Sequence, residues 1–423
     1  MQTIKDGDLN KIISIFHAFI VINIVRVISP FLLLPVLTKF LPPKDYGILA
    51  LYDASILILV PLVLLNSTSL ISAKFYKSEK KYIAEVNTAS MLVAIISCVI
   101  LMVLILLIGI KDGAYINWGG SFVLLLPLFV LGRAVNTFVV NFLQTQHRVK
   151  LFGYISIGTL FFDLSLSLLL VAGLSQGFQG RLIASSIAFS LFGLYGVWLI
   201  KRDLLFSSII IQKRIIEIVK FGLPLVPHAL GGVSLAVAGR YLVAYMLGPK
   251  DAGVYALGYQ VGSIMLLVGT SINQAWSVLL FKWLGEGVNK NKIMIRKVMV
   301  TLFFLLVAAV VMLWFCRDII FWILSNHHFE VAKQLYPFML IGFFFQSLYF
   351  LVVNFDFYEE KTGAIGSTTI FIALLSIILC YILVKMYGLI GAGYSFAFGM
   401  FCYFTIVSIR VIVFNRMFRE VWF

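Results

Sequence analysis

Long apolar stretches separated by short polar gaps follow one another along the whole chain. Each stretch is about as long as the roughly 20 helical residues that cross the hydrocarbon core of a bilayer, which is about 30 Å thick. The stretches are continuously apolar, whereas the strands of a membrane barrel alternate between apolar and polar residues, so the pattern predicts α-helices. Twelve such spans can be counted, with approximate bounds at 12–39, 47–73, 87–110, 121–143, 151–173, 180–200, 217–247, 253–276, 294–316, 335–356, 363–384 and 389–413.

The composition agrees with this pattern. Hydrophobic residues make up 61% of the 423 residues and charged residues only 12%, far below the roughly 25% of charged residues in a soluble domain. The sequence therefore predicts an all-α polytopic membrane protein whose main environment is the lipid bilayer.

The basic residues are distributed unevenly over the gaps between the spans. If both termini are cytoplasmic, and residues near the ends of spans are counted with the adjacent gap, 22 of the 33 lysines and arginines fall in cytoplasmic segments, 8 fall in outer segments and three lie well inside spans. Cytoplasmic segments of membrane proteins are enriched in Lys and Arg, so both termini are predicted to be cytoplasmic. The net charge of +15 then reflects membrane topology, and we expect no nucleic-acid partner.

A short motif occurs twice, as LPPKDYGILALY at residues 41–52 and as LGPKDAGVYALG at residues 247–258. One copy joins spans 1 and 2 and the other joins spans 7 and 8, which is the same place in each half of a six-plus-six arrangement. Spans that are six apart run in the same direction, so the motif predicts a parallel repeat of two six-helix bundles. We place the N-terminal bundle at residues 1–200, a cytoplasmic linker at 201–216 and the C-terminal bundle at 217–423.

Prolines interrupt the first span of each half. Pro30 and Pro35 lie in span 1, and Pro224 and Pro227 lie in span 7. Each proline removes a backbone N–H from the helix, so these positions are predicted to let the two helices bend during gating. The alternative is that the prolines are tolerated without a role in gating, as they can be in membrane helices.

Polar and charged side chains lie inside several spans, where they cost free energy and by default mark a cavity or a partner. Span 4 carries Arg133 near its middle, and at about 100° per residue Asn136, Asn141 and Gln144 fall on the same side of that helix. Span 5 carries Asp163, and an Arg133–Asp163 ion pair that serves only packing is the alternative to a cavity role. The other candidates for the cavity are polar residues of spans 1, 7 and 8, namely Asn23, Arg26, Arg240, Gln260 and Gln274.

The charges inside the spans are mostly positive. Three arginines accompany one deep acid, Asp163. A guanidinium forks onto phosphate or carboxylate oxygens and stays charged at any working pH. The excess of arginine therefore favours an anionic substrate over an organic cation.

Motifs for catalysis, metal binding and nucleotide binding are weak or absent. GLSQG at residues 173–177 matches G-x-S-x-G, but it lies in the turn between spans 5 and 6 without the strand–turn–helix context of a nucleophile. His327 and His328 are adjacent residues of an outer gap, which favours solvated loop side chains over a metal site. No Walker A motif is present. We expect a protein that is not an enzyme and has no catalytic residue, metal or cofactor.

Two stretches of the chain resemble the signatures of Wzx-type O-antigen flippases, a group of polysaccharide biosynthesis membrane proteins. They are RVISPFLLLPVLTKFLPPKDYGILALY at residues 26–52 and KFGLPLVPHALGGVSLAVAGRYLVAYMLGPKDAGVYALGY at residues 220–259. These flippases belong to the multidrug/oligosaccharidyl-lipid/polysaccharide exporter (MOP) superfamily, which also contains the multidrug and toxin extrusion (MATE) transporters. The likeness covers all twelve spans and most of the chain.

The resemblance implies two six-helix bundles that form a MATE-like V in the bacterial inner membrane. It implies a flippase that moves an undecaprenyl-pyrophosphate-linked oligosaccharide, an O-antigen or capsule repeat unit, to the periplasmic leaflet by alternating access coupled to H⁺ or Na⁺. It also implies cations that face the cavity in the first and seventh helices, here Arg26 and Arg240. Relatives often carry an acid just before the seventh-helix arginine, where this chain has Gly239, so Asp163 and then Asp53 are the candidates for ion coupling. Other polysaccharide-assembly membrane proteins are the expected protein partners.

Two other functions stay open at this point. A multidrug or organic-cation antiporter of the same fold is disfavoured by the excess of arginine. A membrane-embedded polysaccharide polymerase or acyltransferase would usually have a sizeable outer loop or a cluster of His and acidic residues near one face. The longest outer gap here, residues 317–334, is too short for a domain.

Overall fold

The protein is described by a computed structural model that covers residues 6–112, 119–209, 211–325 and 327–422. Within these ranges the backbone is almost entirely helical and contains no β-strand. The α-helices, in chain order, are α1 (Asp6–Phe40), α2 (Pro43–Leu64), α3 (Ser67–Lys74), α4 (Lys80–Asp112), α5 (Leu126–Thr145), α6 (Val149–Ser167), α7 (Gly177–Arg202), α8 (Gln212–Gly222), α9 (Val226–Leu247), α10 (Pro249–Gly262), α11 (Ile264–Gly285), α12 (Val288–Phe315), α13 (Arg317–Leu324), α14 (Glu330–Tyr358), α15 (Thr362–Tyr387), α16 (Leu389–Phe414) and α17 (Arg416–Trp422).

Twelve stretches of these helices are long and apolar enough to cross a membrane, and each overlaps one of the twelve predicted spans. A helix satisfies its own backbone N–H and C=O groups, which is what the water-free hydrocarbon core requires. The predicted fold class, an all-α polytopic membrane protein with twelve spans, is confirmed.

The first compact unit contains the chain up to Leu41 together with Leu51–Leu230. Helices α5 and α7 form its central pair, α6 packs on α7, α1 packs on α6, and α4 packs on α5. A Cβ atom on Gly193 of α7 would lie 3.0 Å from the backbone nitrogen of Asn136 in α5. Small residues of this kind let membrane helices approach closely, because lipid supplies no hydrophobic drive for their association.

The second compact unit contains Pro42–Ala50 and the chain from Gly231 onwards. Helices α14 and α16 form its central pair, with α10, α11 and α15 packed against them. Gly342 of α14 gives space to the ring of Phe396 in α16. The central helices are the fourth and sixth spans of their half, as α5 and α7 are in the first unit. The two halves therefore repeat one packing scheme, in agreement with a parallel repeat.

The predicted domain boundaries, 1–200, 201–216 and 217–423, stay a prediction. By its contacts the chain divides between Leu230 and Gly231. Helix α8 precedes this division and packs on α3 and α4 of the first unit. A helix that the sequence assigned partly to the linker and partly to the C-terminal bundle thus lies in the first unit.

The stretch predicted as span 2 is not one continuous helix. Helix α2 ends at Leu64, because Leu65 and Asn66 adopt left-handed φ values of 44° and 51°. A Cβ atom on Gly222, at the end of α8, would lie 1.9 Å from the carbonyl oxygen of Leu65. The helix break and the end of α8 are therefore in direct backbone contact.

The stretch predicted as span 7 is likewise divided. It contains the second part of α8, a 3₁₀ turn at Leu223–Leu225 and α9. Pro224 lies in the 3₁₀ turn and Pro227 is the second residue of α9. Because proline has no backbone N–H to donate, the two residues mark the boundary between α8 and the membrane span formed by α9.

Charged side chains hold α8 against the first unit. Arg214 donates hydrogen bonds to Glu85 of α4 at 2.9 Å and to Glu217 at 3.1 Å. Glu217 also accepts a hydrogen bond from the Tyr82 hydroxyl. Burial tends to raise the pKa of Glu217, but the hydrogen bonds from Tyr82 and Arg214 and the charges of Arg214 and Lys74 outweigh it, so the pKa lies below its ordinary value.

We expect this attachment to contribute to stability at neutral pH and to weaken in acid. A carboxyl group whose pKa is lowered by folding stabilises the fold above its ordinary pKa and loses that contribution as the pH falls towards the folded value. Thermal unfolding in detergent should therefore show wild-type protein more stable than Glu217→Gln near pH 7, and the difference should shrink below about pH 4.5. A difference that is constant over this pH range would contradict the assignment.

Candidate functional site

The first predicted cavity cation, Arg26, is half-buried in α1. Its guanidinium donates a hydrogen bond to the side chain of Asn23 at 3.4 Å, and its Cζ atom lies 5.8 Å from the centre of the Phe152 ring in α6. Pro30 and Pro35 lie inside α1, C-terminal to this arginine. The structure thus brings Asn23 and Arg26 together, as the sequence predicts, and adds an aromatic partner from another helix.

The second predicted cation, Arg133, lies on an aromatic ring in the centre of the first unit. Its Cζ atom is 3.6 Å from the centre of the Phe189 ring in α7, within the range of a cation–π interaction. The close approach of α5 and α7 places the two side chains in contact, since a Cβ atom on Gly132 would meet the hydroxyl of Ser190. Helix packing therefore decides which neighbour this arginine has.

The polar stripe of α5 continues on either side of Arg133. Asn136 is buried and donates a hydrogen bond to the Thr159 hydroxyl of α6 at 3.2 Å. Asn141 is half-buried and Gln144 is exposed. The stripe predicted from helical periodicity therefore changes from a buried interhelical contact to an accessible surface along the helix.

The ion pair considered for Asp163 has a different partner from the predicted one. Arg181 of α7 donates hydrogen bonds to both carboxylate oxygens of Asp163, and it also bonds the Ser167 hydroxyl at 2.9 Å. Asp163 is buried and Arg181 is nearly so. The Arg133–Asp163 pair is therefore wrong, because the start of α7 brings Arg181 to the carboxylate while Arg133 lies on Phe189. Arg181 is the second residue of the predicted span 180–200, and a cation at the start of an apolar run was the available signal in the sequence.

Both predicted coupling acids act electrostatically on Arg133. Asp53 of α2 and Asp163 of α6 lie near enough to attract the charge of Arg133, while Arg181 and Arg26 lie near enough to repel it. Asp53 is exposed, whereas Asp163 is held by Arg181. Three arginines and two aspartates thus form one cluster in the first unit, and its net charge is positive.

In the second unit, Arg240 of α9 lies over the Tyr259 ring of α10, with its Cζ atom 4.9 Å from the ring centre. Its Nε atom is buried and has no hydrogen-bond partner among the described residues. A Cβ atom on Gly239 would lie 2.3 Å from the Tyr255 hydroxyl. Tyr255 therefore occupies the space that a side chain before Arg240 would need, which is a physical reason for the missing acid at this position.

Gln260 and Gln274, the two predicted cavity residues of span 8, lie on two different helices. Gln260 is half-buried near the end of α10 and its carbonyl oxygen accepts a hydrogen bond from Ser263 at 2.6 Å. Gln274 is exposed in α11. The continuous helix assumed for span 8 is interrupted at Ser263, between α10 and α11, so the two glutamines belong to separate helices.

The second unit also contains a buried charge network that sequence reasoning missed. Arg410 of α16 donates a hydrogen bond to Asp356 of α14 at 3.1 Å, and Asn415 donates to the other carboxylate oxygen at 3.0 Å. Arg410 bonds the Thr368 hydroxyl as well. Asp356 is the last residue of the predicted span 335–356 and Arg410 lies near the end of the predicted span 389–413, so an acid and a base at the ends of two spans were the available signal. The network ties α14, α15 and α16 together.

No group of three or more His, Cys, Asp or Glu side chains that could hold a metal ion occurs in the part of the chain that the structure describes. The four cysteines, Cys98, Cys316, Cys380 and Cys402, are free thiols.

Comparison with known proteins gives consistent results along the chain. The family described as polysaccharide biosynthesis protein matches residues 15–278, and the MatE family matches residues 229–382. A Haemophilus influenzae protein named for the Lsg locus is 24% identical over 367 residues, which cover 82% of this chain and 86% of that protein.

Solved structures share the fold. A multidrug resistance MATE family transporter of the MOP superfamily, in an inward-facing conformation, superimposes with a TM-score of 0.77 at 13% identity and covers 94% of this chain and 95% of its own. A MOP superfamily transporter from Pyrococcus furiosus has a TM-score of 0.62 at 13% identity, with 95% and 94% covered. Because the first family match spans more than half of the chain, the protein belongs to the polysaccharide biosynthesis protein family, and it has the fold of the MATE transporters, in agreement with its resemblance to Wzx-type flippases.

Proposed function

We propose that the protein is a flippase that moves an undecaprenyl-pyrophosphate-linked oligosaccharide from the cytoplasmic to the periplasmic leaflet of a bacterial inner membrane. The oligosaccharide would be an O-antigen or capsule repeat unit. The family match to polysaccharide biosynthesis proteins supports this class of substrate. The protein lowers the cost of moving a polar headgroup through hydrocarbon, and no covalent bond is made or broken.

One observation carries the proposal: Arg26, Arg133 and Arg240 each lie on an aromatic ring. No ion pair with a carboxylate is seen for any of the three within the described residues. A ring holds the face of a guanidinium and leaves its N–H groups at the edge free to donate, so the planar fork stays available for phosphate oxygens. A carboxylate partner, such as Asp163 provides for Arg181, would occupy that fork instead.

In the first unit Arg26 and Arg133 would bind the pyrophosphate or acidic sugars, and Arg240 is the proposed substrate-binding cation of the second unit, while the prenyl chain stays in the lipid. Alternating access would then expose the headgroup to one leaflet at a time, with both termini of the chain in the cytoplasm. Other membrane proteins of polysaccharide assembly would supply and use the lipid-linked substrate. Pro30, Pro35, Pro224 and Pro227 are the proposed bending points.

For ion coupling we propose Asp53 ahead of Asp163. Asp163 is already engaged by two nitrogens of Arg181, so taking up a proton or Na⁺ there would require breaking a buried ion pair. Asp53 is exposed and lies near enough to Arg133 to act on its charge. Binding of H⁺ or Na⁺ at Asp53 would change the field at the arginine that is proposed to hold the substrate.

A multidrug or organic-cation antiporter is the second candidate. The MatE family match and the likeness to a multidrug resistance MATE transporter favour it. A cation site needs an excess of acidic groups, whereas the cluster around Arg133 has the opposite balance. For the MOP superfamily transporter from Pyrococcus furiosus, a reversed polarity of the binding pocket likewise suggests a different function.

A flipping assay in liposomes distinguishes the two candidates. A fluorescent prenyl-pyrophosphate oligosaccharide is placed in the inner leaflet, and a membrane-impermeant quencher reports its arrival outside, with the same prenyl oligosaccharide lacking pyrophosphate as the matched control lipid. We expect acceleration over protein-free liposomes for the pyrophosphate lipid, a further dependence on an imposed H⁺ or Na⁺ gradient, and loss of that dependence in Asp53→Asn. No acceleration, together with gradient-driven efflux of an organic cation, would contradict the flippase and support the antiporter.

A further inference from the structure

The two copies of the repeated motif lie against each other. Gly47, in the first copy, begins the second turn of α2, and Gly253, in the second copy, lies at the same place in α10. A Cβ atom on Gly47 would lie 1.8 Å from the carbonyl oxygen of Pro249, and a Cβ atom on Gly253 would lie 2.0 Å from that of Pro43. We call this pair of contacts, made by Gly47 and Gly253, the glycine crossing. It lies wholly within the second compact unit.

The contact is reciprocal, because the glycine of each motif approaches the carbonyl oxygen of the equivalent proline in the other motif. The separation of Gly47 from Gly253 in the chain, 206 residues, is the same as that of Pro43 from Pro249. The two motifs are therefore related by a local twofold axis at this contact, and each glycine contacts the first turn of the other helix. Any side chain at either glycine would push the two helix backbones apart.

Attractive and repulsive contributions both act across the glycine crossing. Backbone atoms in van der Waals contact hold it, and each such atom pair contributes only about 0.1–0.2 kcal/mol. Two helix N-termini, both positive dipole ends, meet there and oppose it, as do the exposed Lys44 and Lys250 at equivalent positions. Asp45 and Asp251 in the first turns offset part of this repulsion, and no ion pair joins the two motifs among the described residues. Next to the glycine crossing, the buried Tyr46 ring packs edge-to-face on Phe329 at 5.5 Å between ring centres, so this contact must change if the glycines separate.

Helix α2 connects the glycine crossing to the charged cluster. Its first turns, up to Ala50, are in the second unit, whereas Leu51 and the residues after it are in the first. Asp53 follows Gly47 by less than two turns of the same helix. A movement of the start of α2 would therefore be passed directly to the proposed coupling acid.

We propose that the glycine crossing is a gate contact of the transport cycle, closed in this structure and opened when α2 moves away from α10. This inference rests on the proposed alternating access. It explains why the chain carries the motif twice: only glycine at both equivalent positions allows the closed arrangement. A single added methyl group at either position should favour the open one.

Pulsed electron–electron distance measurements test the gate without any substrate. Spin labels are attached at Lys44→Cys and Lys250→Cys in a chain whose four native cysteines are replaced by alanine. We expect Gly47→Ala or Gly253→Ala to shift the distance distribution to longer values. Gly232→Ala is the matched control, because a Cβ atom there meets nothing within 4 Å, and it should leave the distribution unchanged.

The outcomes separate the gate from the proposed substrate. A distance that is the same in Gly47→Ala, Gly253→Ala and Gly232→Ala would overturn the gate, whatever the transport rate. A shift to longer distance in the two crossing variants only, in a protein that does not flip the prenyl-pyrophosphate oligosaccharide, would support the gate and contradict the proposed function.

A second measurement does not depend on the folding of the glycine variants. A reducible bifunctional thiol reagent joins Lys44→Cys to Lys250→Cys and so holds the glycine crossing closed. Flipping should stop, and reduction should restore it at least tenfold, whereas each single-cysteine variant treated alike should keep its rate. Flipping at an unchanged rate by the joined protein would overturn the gate.

Discussion

Replacing Arg133 by alanine is expected to slow the flipping of a prenyl-pyrophosphate oligosaccharide by about ten- to a hundredfold, because a hydrogen bond to a charged group contributes about 1.5–3 kcal/mol. The variant should still fold, since Arg133 has no ion pair among the described residues and contacts Phe189 through its face. The liposome assay measures the first effect and thermal unfolding in detergent the second. Arg133→Lys should recover only part of the rate, because an ammonium keeps the charge but lacks the planar fork.

Arg202→Ala is the matched control for this prediction. Arg202 also lies on an aromatic ring, with its Cζ atom 5.8 Å from Trp198, but it is exposed at the end of α7. Its removal should leave the flipping rate unchanged. Wild-type flipping by Arg133→Ala would show that this arginine does not hold the substrate.

Replacing Asp163 by alanine is expected to act on folding. The change would leave the guanidinium of Arg181 buried without its carboxylate, and breaking a buried ion pair costs about 3–5 kcal/mol. The free energy of unfolding should fall by about that amount, and little folded protein should be recovered from membranes. The double variant Asp163→Ala with Arg181→Met should regain most of the stability, because an apolar side chain of similar length replaces the buried charge that has lost the carboxylate of Asp163.

Transport by the rescued double variant then tests the role of the acid. If Asp163 is only structural, the double variant should flip the lipid at a rate close to that of wild type. A single variant that is as stable as wild type but has lost the dependence of flipping on the ion gradient would contradict the structural role and make Asp163 the coupling acid.

The membrane class, the twelve spans and the excess of intramembrane arginine could be predicted from the sequence. These properties depend on local composition, since a run of about 20 apolar residues crosses a bilayer whatever its neighbours are. Helical periodicity also placed Asn136, Asn141 and Gln144 on the side of Arg133, because the angle between residues of one helix is set by the helix itself. The motif at residues 41–52 and 247–258 also predicted the parallel repeat, because its two copies lie at equivalent positions in the two halves of the sequence.

The partners of the charged groups were decided only by the tertiary structure. Periodicity predicts which face of a helix a side chain occupies, but not which helix covers that face. From the sequence, Arg133 could therefore be paired with Asp163. In the structure, Arg133 contacts Phe189 and Asp163 forms an ion pair with Arg181. The pairing of Asp356 with Arg410 and the contact of Gly47 with Gly253 join residues far apart in the chain in the same manner. Such contacts depend on how closely two helices approach, which is set by the small residues of both together, and no single stretch of sequence contains that information.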